Sequence, residues 1–327
     1  MPSATPDLNA RPLVLAYRGP VLENVCFGHA VALDAHGKRV FHLGNTARLT
    51  PVRSCLKPFQ ALPSLLDELP APMRPTDADL ALMCGSHAAE RDHLEGVRSL
   101  LSRAGASEGD LGCGCPPERP SRLYHGCSGK HAGMLLYCRA MGLPQGSYLE
   151  PSHPLQERIL TEVLRLSRSV RPEVPVLIDG CGAPIVALSL EKLAWLYAQL
   201  ARPTGLPAEL SAALMRVAQA MRTHPRSVGG SSSFDSHLIE ATRGRIVAKC
   251  GADGLQCLAD RESGVGIAVK CETPSIPLAQ AAALALARKL GTLSAAEYDA
   301  LAPETLPPRL NSQGREIGRL RLAAELV

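Results

Sequence analysis

The sequence predicts an α+β fold in which strands from both ends of the chain form one antiparallel sheet packed with helices. Short apolar stretches with partial alternation occur near both ends, at 12–18, 28–35, 38–44, 245–249 and 264–270. The long middle of the chain instead carries apolar residues at helical spacing. An order of strands, many helices and strands again, without strict βαβ alternation, favours the α+β class.

The N-terminal stretches predict a strand followed by a hairpin, because Asp-Ala-His-Gly at 34–37 separates the second stretch from the third. The next segment, Ser54–Leu66, has apolar residues at helical spacing, with Pro58 early enough to lie in the first turn. We therefore predict a helix that starts at or near Ser54.

The middle of the chain predicts a series of helices. Thr76 is a candidate N-cap for the first and Gly105 a candidate stop for the second. Their predicted ranges are 80–83, 88–104, 130–142, 153–168, 188–202 and 207–223. A short buried strand is predicted at Val174–Ile178, an active-site or surface loop at Ser227–Ser233, and a last helix at Leu278–Leu290.

The composition excludes several classes of protein. Over 327 residues, 46% hydrophobic and 20% charged side chains permit a large buried core. We therefore expect a folded chain and not a disordered one. With 11 aromatic residues, a net charge of +4 and no basic run, we expect no nucleic-acid partner. No apolar stretch reaches membrane-spanning length and no secretory signal is evident, so we expect a cytoplasmic protein without a membrane partner. Its 11 cysteines then predict free thiols and a metal site over a disulfide framework.

The basic residues are divided unequally, into 28 arginines and only 7 lysines. A guanidinium stays protonated, whereas an ammonium can be tuned to lose its proton. Each lysine is therefore a candidate for chemistry that arginine cannot perform.

One lysine belongs to an S-x-x-K tetrapeptide, Ser54–Lys57, which places a hydroxyl and an amine on one face of a regular helix. A lysine held neutral could remove the serine proton and create an acylating nucleophile. Lys249 follows a predicted strand and precedes Gly251 and Gly254, like the K-T-G element of serine-lysine acyl enzymes. Ser86, in a predicted break between helices, could supply a second hydroxyl for proton relay. Each motif alone is equally compatible with a solvated lysine or a capping serine.

Two glycine-flanked cysteines, Cys127 and Cys181, could be brought together by tight turns to hold a soft metal such as zinc. Lys130, His125 or His131 could complete such a site. The nearby Cys113-Gly114-Cys115 is a competing candidate that fits loop cysteines better.

The chain resembles, over nearly its whole length, the rhizobial-type L-asparaginases, the asparaginase II family also called class 3. The matching strings are Arg18-Gly19 with Glu23, Arg53–Pro63, Cys84–His87, Cys127–Met134, His153–Gln156, Asp179–Gly182, Phe234-Asp235 and Lys249-x-Gly251-Ala252-x-Gly254, where x marks an unmatched position. The resemblance implies a fold like that of serine β-lactamases and related glutaminases. It also implies a single catalytic unit over residues 1–327, with a mainly helical part of about 54–225 inserted in the sheet part.

The resemblance further implies that the protein hydrolyses L-asparagine to L-aspartate and ammonia with a serine-lysine dyad. Ser54 would be the nucleophile with Lys57 as its base, and Ser86 would form a second pair with Lys249. A homodimer is also implied.

Further site residues follow from the same matched strings. Arg53, His131 and Asp179 would contact the substrate, and one zinc ion per chain would be bound by Cys127, Lys130 and Cys181.

Two other kinds of function remain open from the residues. One is a glutaminase or another serine acyl enzyme, such as one acting on β-lactams or D-amino-acid peptides. The other is a non-catalytic relative that binds zinc or an amino acid on the same scaffold.

Overall fold

Strands from both ends of the chain pair in one sheet. The computed structural model describes residues 9–327, so the first eight residues of the predicted catalytic unit lie outside the described residues. The strands are β1 Arg11–Arg18, β2 Val21–Leu33, β3 Arg39–Leu43, β4 Leu49–Pro51, β5 Val176–Ile178, β6 Pro184–Ser189, β7 Ile246–Gly251, β8 Leu255–Asp260, β9 Val265–Cys271, β10 Arg309–Leu310 and β11 Glu316–Leu322.

The large sheet has the order β10-β11-β1-β2-β9-β8-β7, with β3 also paired to β2, and its pairs are antiparallel. The N-terminal strand β2 lies directly beside the C-terminal strand β9, in a register that pairs Ala30 with Val269. A smaller antiparallel sheet has the order β4-β6-β5. The predicted α+β class, with an antiparallel sheet built from both ends of the chain, is confirmed.

The helices occupy mainly the middle of the chain, where α1–α10 lie between β3 and β7. They are α1 Lys57–Gln60, α2 Pro63–Leu66, α3 Asp77–Cys84, α4 Arg91–Ala104, α5 Ser128–Ala140, α6 Pro154–Leu166, α7 Leu190–Ala201, α8 Ala208–Thr223, α9 Pro225–Gly229, α10 Phe234–Ala241, α11 Ile276–Lys289 and α12 Ala295–Thr305. Both α7 and α11 pack on the large sheet. Gly266 of β9 permits the close approach of α7, because a Cβ at this position would overlap the backbone at Ala194 and Ala198.

Several local signals in the sequence correspond to the observed helix ends. Thr76 caps α3 in a capping box with Asp79, and Gly105 ends α4 in the left-handed conformation at φ +62°. These ends are confirmed because a cap and a left-handed glycine satisfy backbone groups locally, whatever the tertiary contacts are.

The predicted helix over 54–66 is wrong as a single element. The chain forms a 3₁₀ turn at Arg53–Leu56 and then the one-turn helices α1 and α2. Pro58 and Pro63 both lack an N–H donor, so an uninterrupted helical hydrogen-bond ladder cannot pass through the segment. Ser54 consequently lies on a tight turn, not at the start of a regular α-helix.

The strand predicted at 174–178 exists as β5, but the prediction that it is buried is wrong. Ile178 is 60% exposed, because β5 is the edge of the small sheet. The predicted loop at 227–233 begins inside α9 and turns at Gly230, where φ is +110°. No helix within residues 9–327 is long and apolar enough to cross a membrane.

Candidate active site

Lys57 lies at the centre of the candidate site, with its side chain only 1% exposed. Its Nζ donates hydrogen bonds to Gly126 O at 3.5 Å and to Gly85 O, and forms a hydrogen bond of 2.9 Å with Ser86 Oγ. The amine is therefore directed at the break between α3 and α4, which contains Ser86. Ser54, three residues before Lys57 in the chain, forms no side-chain hydrogen bond with any described residue.

Burial is the main cause that lowers the pKa of Lys57, and the positive charges of Lys249 and Lys130 lower it further. The Cys127 thiol acts in the opposite direction. The three motif lysines therefore lie close enough to influence one another, and Lys57 is the one whose surroundings favour a neutral amine.

Backbone contacts hold Ser86 in place on both sides. Its N–H donates to Val228 O at 2.8 Å, and the N–H of His87 donates to Gly126 O at 3.1 Å. The ring of His87 is bound to Ser128 Oγ at 2.8 Å. Burial lowers the pKa of His87 to about 3, with His93 and Lys57 adding to the effect, so the ring is neutral and acts as a hydrogen-bonding brace.

The turn that carries Ser54 is tied to β7. Cys55 Sγ donates to Lys249 O at 3.2 Å, and Tyr197 Oη donates to Cys55 O at 2.9 Å. Arg53 adopts a left-handed backbone conformation at φ +47°, which is uncommon for a residue with a side chain. The half-buried Ser54 is thus presented by a constrained turn beside the strand that carries Lys249.

Lys249 has no exposed side-chain surface and does not contact Ser86 among its described hydrogen bonds. Its Nζ lies 3.5 Å from Asp235 Oδ2 and donates to Cys250 O at 2.9 Å. Burial opposes the charged amine, but Cys250, whose Sγ accepts a hydrogen bond from Nζ at 3.4 Å, and Asp235 raise the pKa of Lys249 above the ordinary value. The second serine-lysine pair stays a prediction, since the structure directs this amine to a carboxylate.

The three predicted zinc ligands converge in the structure. Cys127 precedes α5 as its N-cap, Lys130 lies in the first turn of that helix, and Cys181 lies in the turn between β5 and β6. Lys130 Nζ is 3.2 Å from Cys181 Sγ, and the Cys127 and Cys181 thiols lie close enough to shift each other's pKa. The interaction with Cys181 is the main cause that lowers the pKa of Cys127 well below its usual value, with Lys57 among the further causes.

The two thiol sulfurs are donors that suit zinc, and the Lys130 amine could add a third donor only in its neutral form. Burial opposes the charge on Lys130, but Cys181 and Cys127 raise its pKa, so binding a metal through Lys130 would require the amine to lose its proton. Among residues 9–327, no group of three or more His, Cys, Asp or Glu side chains is arranged to hold a metal, and the present set has only two such members.

The three predicted substrate-contacting residues lie beside the thiol pair. Arg53 Nε donates to Asp179 Oδ1 at 2.6 Å, and its guanidinium also pairs with Asp253, so it bridges the turn after β5 and the β7–β8 turn. His131 Nδ1 forms a hydrogen bond of 2.7 Å with Tyr148 Oη, which itself accepts one from Gly112 N. Burial lowers the pKa of His131, and its Nε2 is buried without a hydrogen-bond partner in the described part of the chain. The neutral ring therefore carries an unused nitrogen, Nε2, at the site.

Sequence reasoning assigned no role to three side chains that organise the site, namely Asp235, Gln256 and Asp253. In the sequence, Phe234-Asp235 is notable only as one of the strings that resemble the asparaginase II family. An acidic residue directly after an apolar one at a helix start is also a common solvated arrangement, so its burial could not be inferred.

A serine hydroxyl bonded to a buried lysine, with further cations nearby, is suited to acyl transfer. Residues 14–322 match the model of the family described as L-asparaginase II. The chain belongs to the L-asparaginase II family, which indicates a hydrolase of the amidohydrolase type acting on a small molecule. No curated protein matches the chain.

Similar solved structures include a β-lactamase, Mb2281c from Mycobacterium bovis. It is 17% identical, with a TM-score of 0.42, over 80% of this chain and 94% of that chain. Simvastatin synthase from Aspergillus terreus, as a LovD6 mutant, is 14% identical, with a TM-score of 0.43, over 78% of this chain and 90% of that chain.

Proposed function

We propose that the protein hydrolyses L-asparagine to L-aspartate and ammonia through a serine-bound acyl intermediate. The observation that carries the proposal is the buried Lys57 amine, bonded to Ser86 and next to the constrained turn of Ser54. Membership of the L-asparaginase II family supports the choice of a side-chain amide as substrate.

In the proposed reaction, Ser54 Oγ attacks the carboxamide carbon, and its proton passes through the Ser86 hydroxyl to neutral Lys57. The tetrahedral intermediate then collapses with loss of ammonia, which takes the proton back from Lys57. Water attacks the resulting aspartyl ester, and L-aspartate is released with the Ser54 hydroxyl restored. Lys57 thus acts as base in each half-reaction and as acid when each leaving group departs.

The groups around the serines match the charges of this substrate. The Nε2 atom of His131 is a candidate contact for a polar group of the substrate, because it has no partner among the described residues. Arg53 is a candidate for the substrate α-carboxylate, although Asp179 and Asp253 already share its guanidinium. Asp179 is correspondingly a candidate acceptor for the α-ammonium group.

The direct test is to incubate the purified chain with L-asparagine and measure ammonia and L-aspartate in equal amounts. L-Glutamine, a β-lactam and a D-amino-acid peptide are assayed in parallel. Faster release from L-glutamine would identify a glutaminase. A folded sample that hydrolyses none of these substrates, with or without added zinc, would favour the non-catalytic alternative.

The convergence of Cys127, Lys130 and Cys181 supports one zinc ion per chain. Zinc in such a site would orient the substrate and polarise its carbonyl group. We expect about one equivalent of zinc per chain after purification and dialysis. Cys181→Ala should reduce the content to about a tenth or less, because one of three protein ligands is lost.

The matched control is Cys138→Ala, which removes another buried thiol from α5 outside the proposed ligand set. Metal analysis by mass spectrometry decides the result. Equal zinc content in the two variants, or none in the wild-type protein, would contradict the proposed site. The proposed homodimer is tested separately by light scattering coupled to gel filtration.

A further inference from the structure

The ion pair between Lys249 and Asp235 is the most deeply buried charge pair in the described part of the chain. The two side chains are 0% and 1% exposed, and Nζ lies 3.5 Å from Oδ2. Asp235 comes from α10, whereas Lys249 comes from β7, so the pair joins two separate elements.

Further hydrogen bonds determine the position of the Asp235 carboxylate. Oδ2 accepts from Cys250 N at 2.8 Å, and Oδ1 accepts from Gln256 Nε2 at 3.0 Å. Both carboxylate oxygens therefore have donors of their own besides Lys249. These donors hold the Asp235 carboxylate in one position, facing the amine.

The other groups facing Lys249 come from each element packed around it, and they are mainly thiols. They are Cys250 on its own strand, Cys55 on the 3₁₀ turn, Cys257 on β8, Cys84 at the end of α3 and Lys57 on α1. Burial raises the pKa of Cys250 and of Cys84 to about 12, so these two thiols are neutral near pH 7. A positive charge on Lys57 would repel the positive charge on Lys249. The Asp235 carboxylate counteracts this repulsion.

Removing one partner of a buried ion pair leaves an uncompensated charge in a medium of low dielectric. An amine in that position loses its proton at much lower pH than an exposed lysine. The charge on Lys249 thus depends on Asp235, and the Lys249 backbone is joined to the Ser54 turn through Cys55 Sγ at 3.2 Å.

We propose that Asp235 is a positioning residue that keeps Lys249 as a permanent cation, so that Lys249 acts through its charge and not as a proton acceptor. The cation would favour the negative charge that develops on the carboxamide oxygen during attack by serine. The inference rests on the proposed function and changes the role of Lys249 from that of a second base.

The test variant is Asp235→Asn, which keeps the shape of the side chain and removes its charge. Since the Lys249 pKa should fall in this variant, Lys249 is protonated at low pH and neutral at high pH. We expect near wild-type kcat at about pH 6 and a loss of about tenfold per pH unit above the new pKa. Wild-type protein should not show this alkaline loss over the same range.

The matched control is Glu240→Gln on the same helix, where the carboxylate is 40% exposed and paired with Arg226 at 3.2 Å. This variant should keep the wild-type pH profile. A uniform loss of kcat at every pH in Asp235→Asn would indicate a purely structural role and overturn the proposal. Higher activity of Asp235→Asn at alkaline pH would also overturn it, because a neutral Lys249 would then be the active form.

A second measurement does not depend on activity or on the stability of the variant. Lysine is labelled with ¹³C at Cε, the Lys249 signal is assigned with Lys249→Met, and its shift is followed against pH in the wild-type protein. We expect the amine to remain charged at about pH 10. A midpoint at or below about pH 8 would overturn the proposal. If the wild-type protein has no amidohydrolase activity, the proposed function fails while this titration still decides the state of Lys249.

Discussion

The Ser54→Ala variant is expected to lose activity on L-asparagine by about 10⁵-fold or more, because the acylating hydroxyl is absent. Its fold should be unaffected. Ser54 is only partly buried, and its Oγ has no hydrogen-bond partner among residues 9–327, so no partner is left unsatisfied. The free energy of unfolding should change by less than about 0.5 kcal/mol. Steady-state ammonia release and urea denaturation measure the two effects.

Ser86→Ala is the matched control, since it removes the other serine of the site. Without the relay hydroxyl bonded to Lys57, kcat should fall by about 10²- to 10³-fold and acylation should persist. An electrophilic asparagine analogue followed by peptide mass spectrometry should place the adduct on Ser54. An adduct on Ser86, or a larger loss in Ser86→Ala than in Ser54→Ala, would assign the nucleophile to Ser86.

The Lys57→Met variant is expected to lower kcat by about 10³- to 10⁴-fold, because general-base catalysis is lost while the shape of the side chain is nearly kept. Loss of the buried amine leaves Gly85 O and Gly126 O without this donor, which costs about 1–3 kcal/mol. Relief from burying the amine offsets part of that cost. Metal content should be unchanged.

Lys57→Arg should be as inactive as Lys57→Met, because a guanidinium stays protonated. Lys38→Met, at an exposed position on the hairpin between β2 and β3, is the control and should retain wild-type kcat. In Lys57→Ala, added methylamine should partly restore the rate by occupying the space of the missing amine. A Lys57→Met variant that keeps more than about a tenth of wild-type activity would contradict the role of Lys57 as base.

The parts of the fold that the sequence predicted are those with a local physical cause. The Thr76 cap, the Gly105 stop and the helices near 130–142 and 207–223 depend on residues a few positions apart. The elements that apolar spacing in the sequence did not predict have weaker local signals. The fully buried strand β8 has no alternation to reveal it, because neighbouring elements cover both of its faces.

Whether a strand is exposed or buried also depends on contacts between distant segments. Val176–Ile178 is apolar enough to predict a core strand, yet the pairing β4-β6-β5 leaves it at a sheet edge. A hydrophobic side chain is more stable when buried, but the packing of distant segments decides whether it is buried.

The sequence by itself determined which lysines to expect at the site, because the scarcity of lysine and the matched strings single out Lys57, Lys130 and Lys249. It also determined that the two ends of the chain share a sheet. The tertiary structure alone decided which group each amine meets. Ser54 and Lys57 are one 3₁₀ turn apart, yet the Lys57 amine is directed to Ser86, 29 positions away, because the break between α3 and α4 packs against it. Lys249 likewise meets Asp235, because α10 and β7 pack together. A charged amine that is buried without an opposite charge beside it would be strongly destabilised.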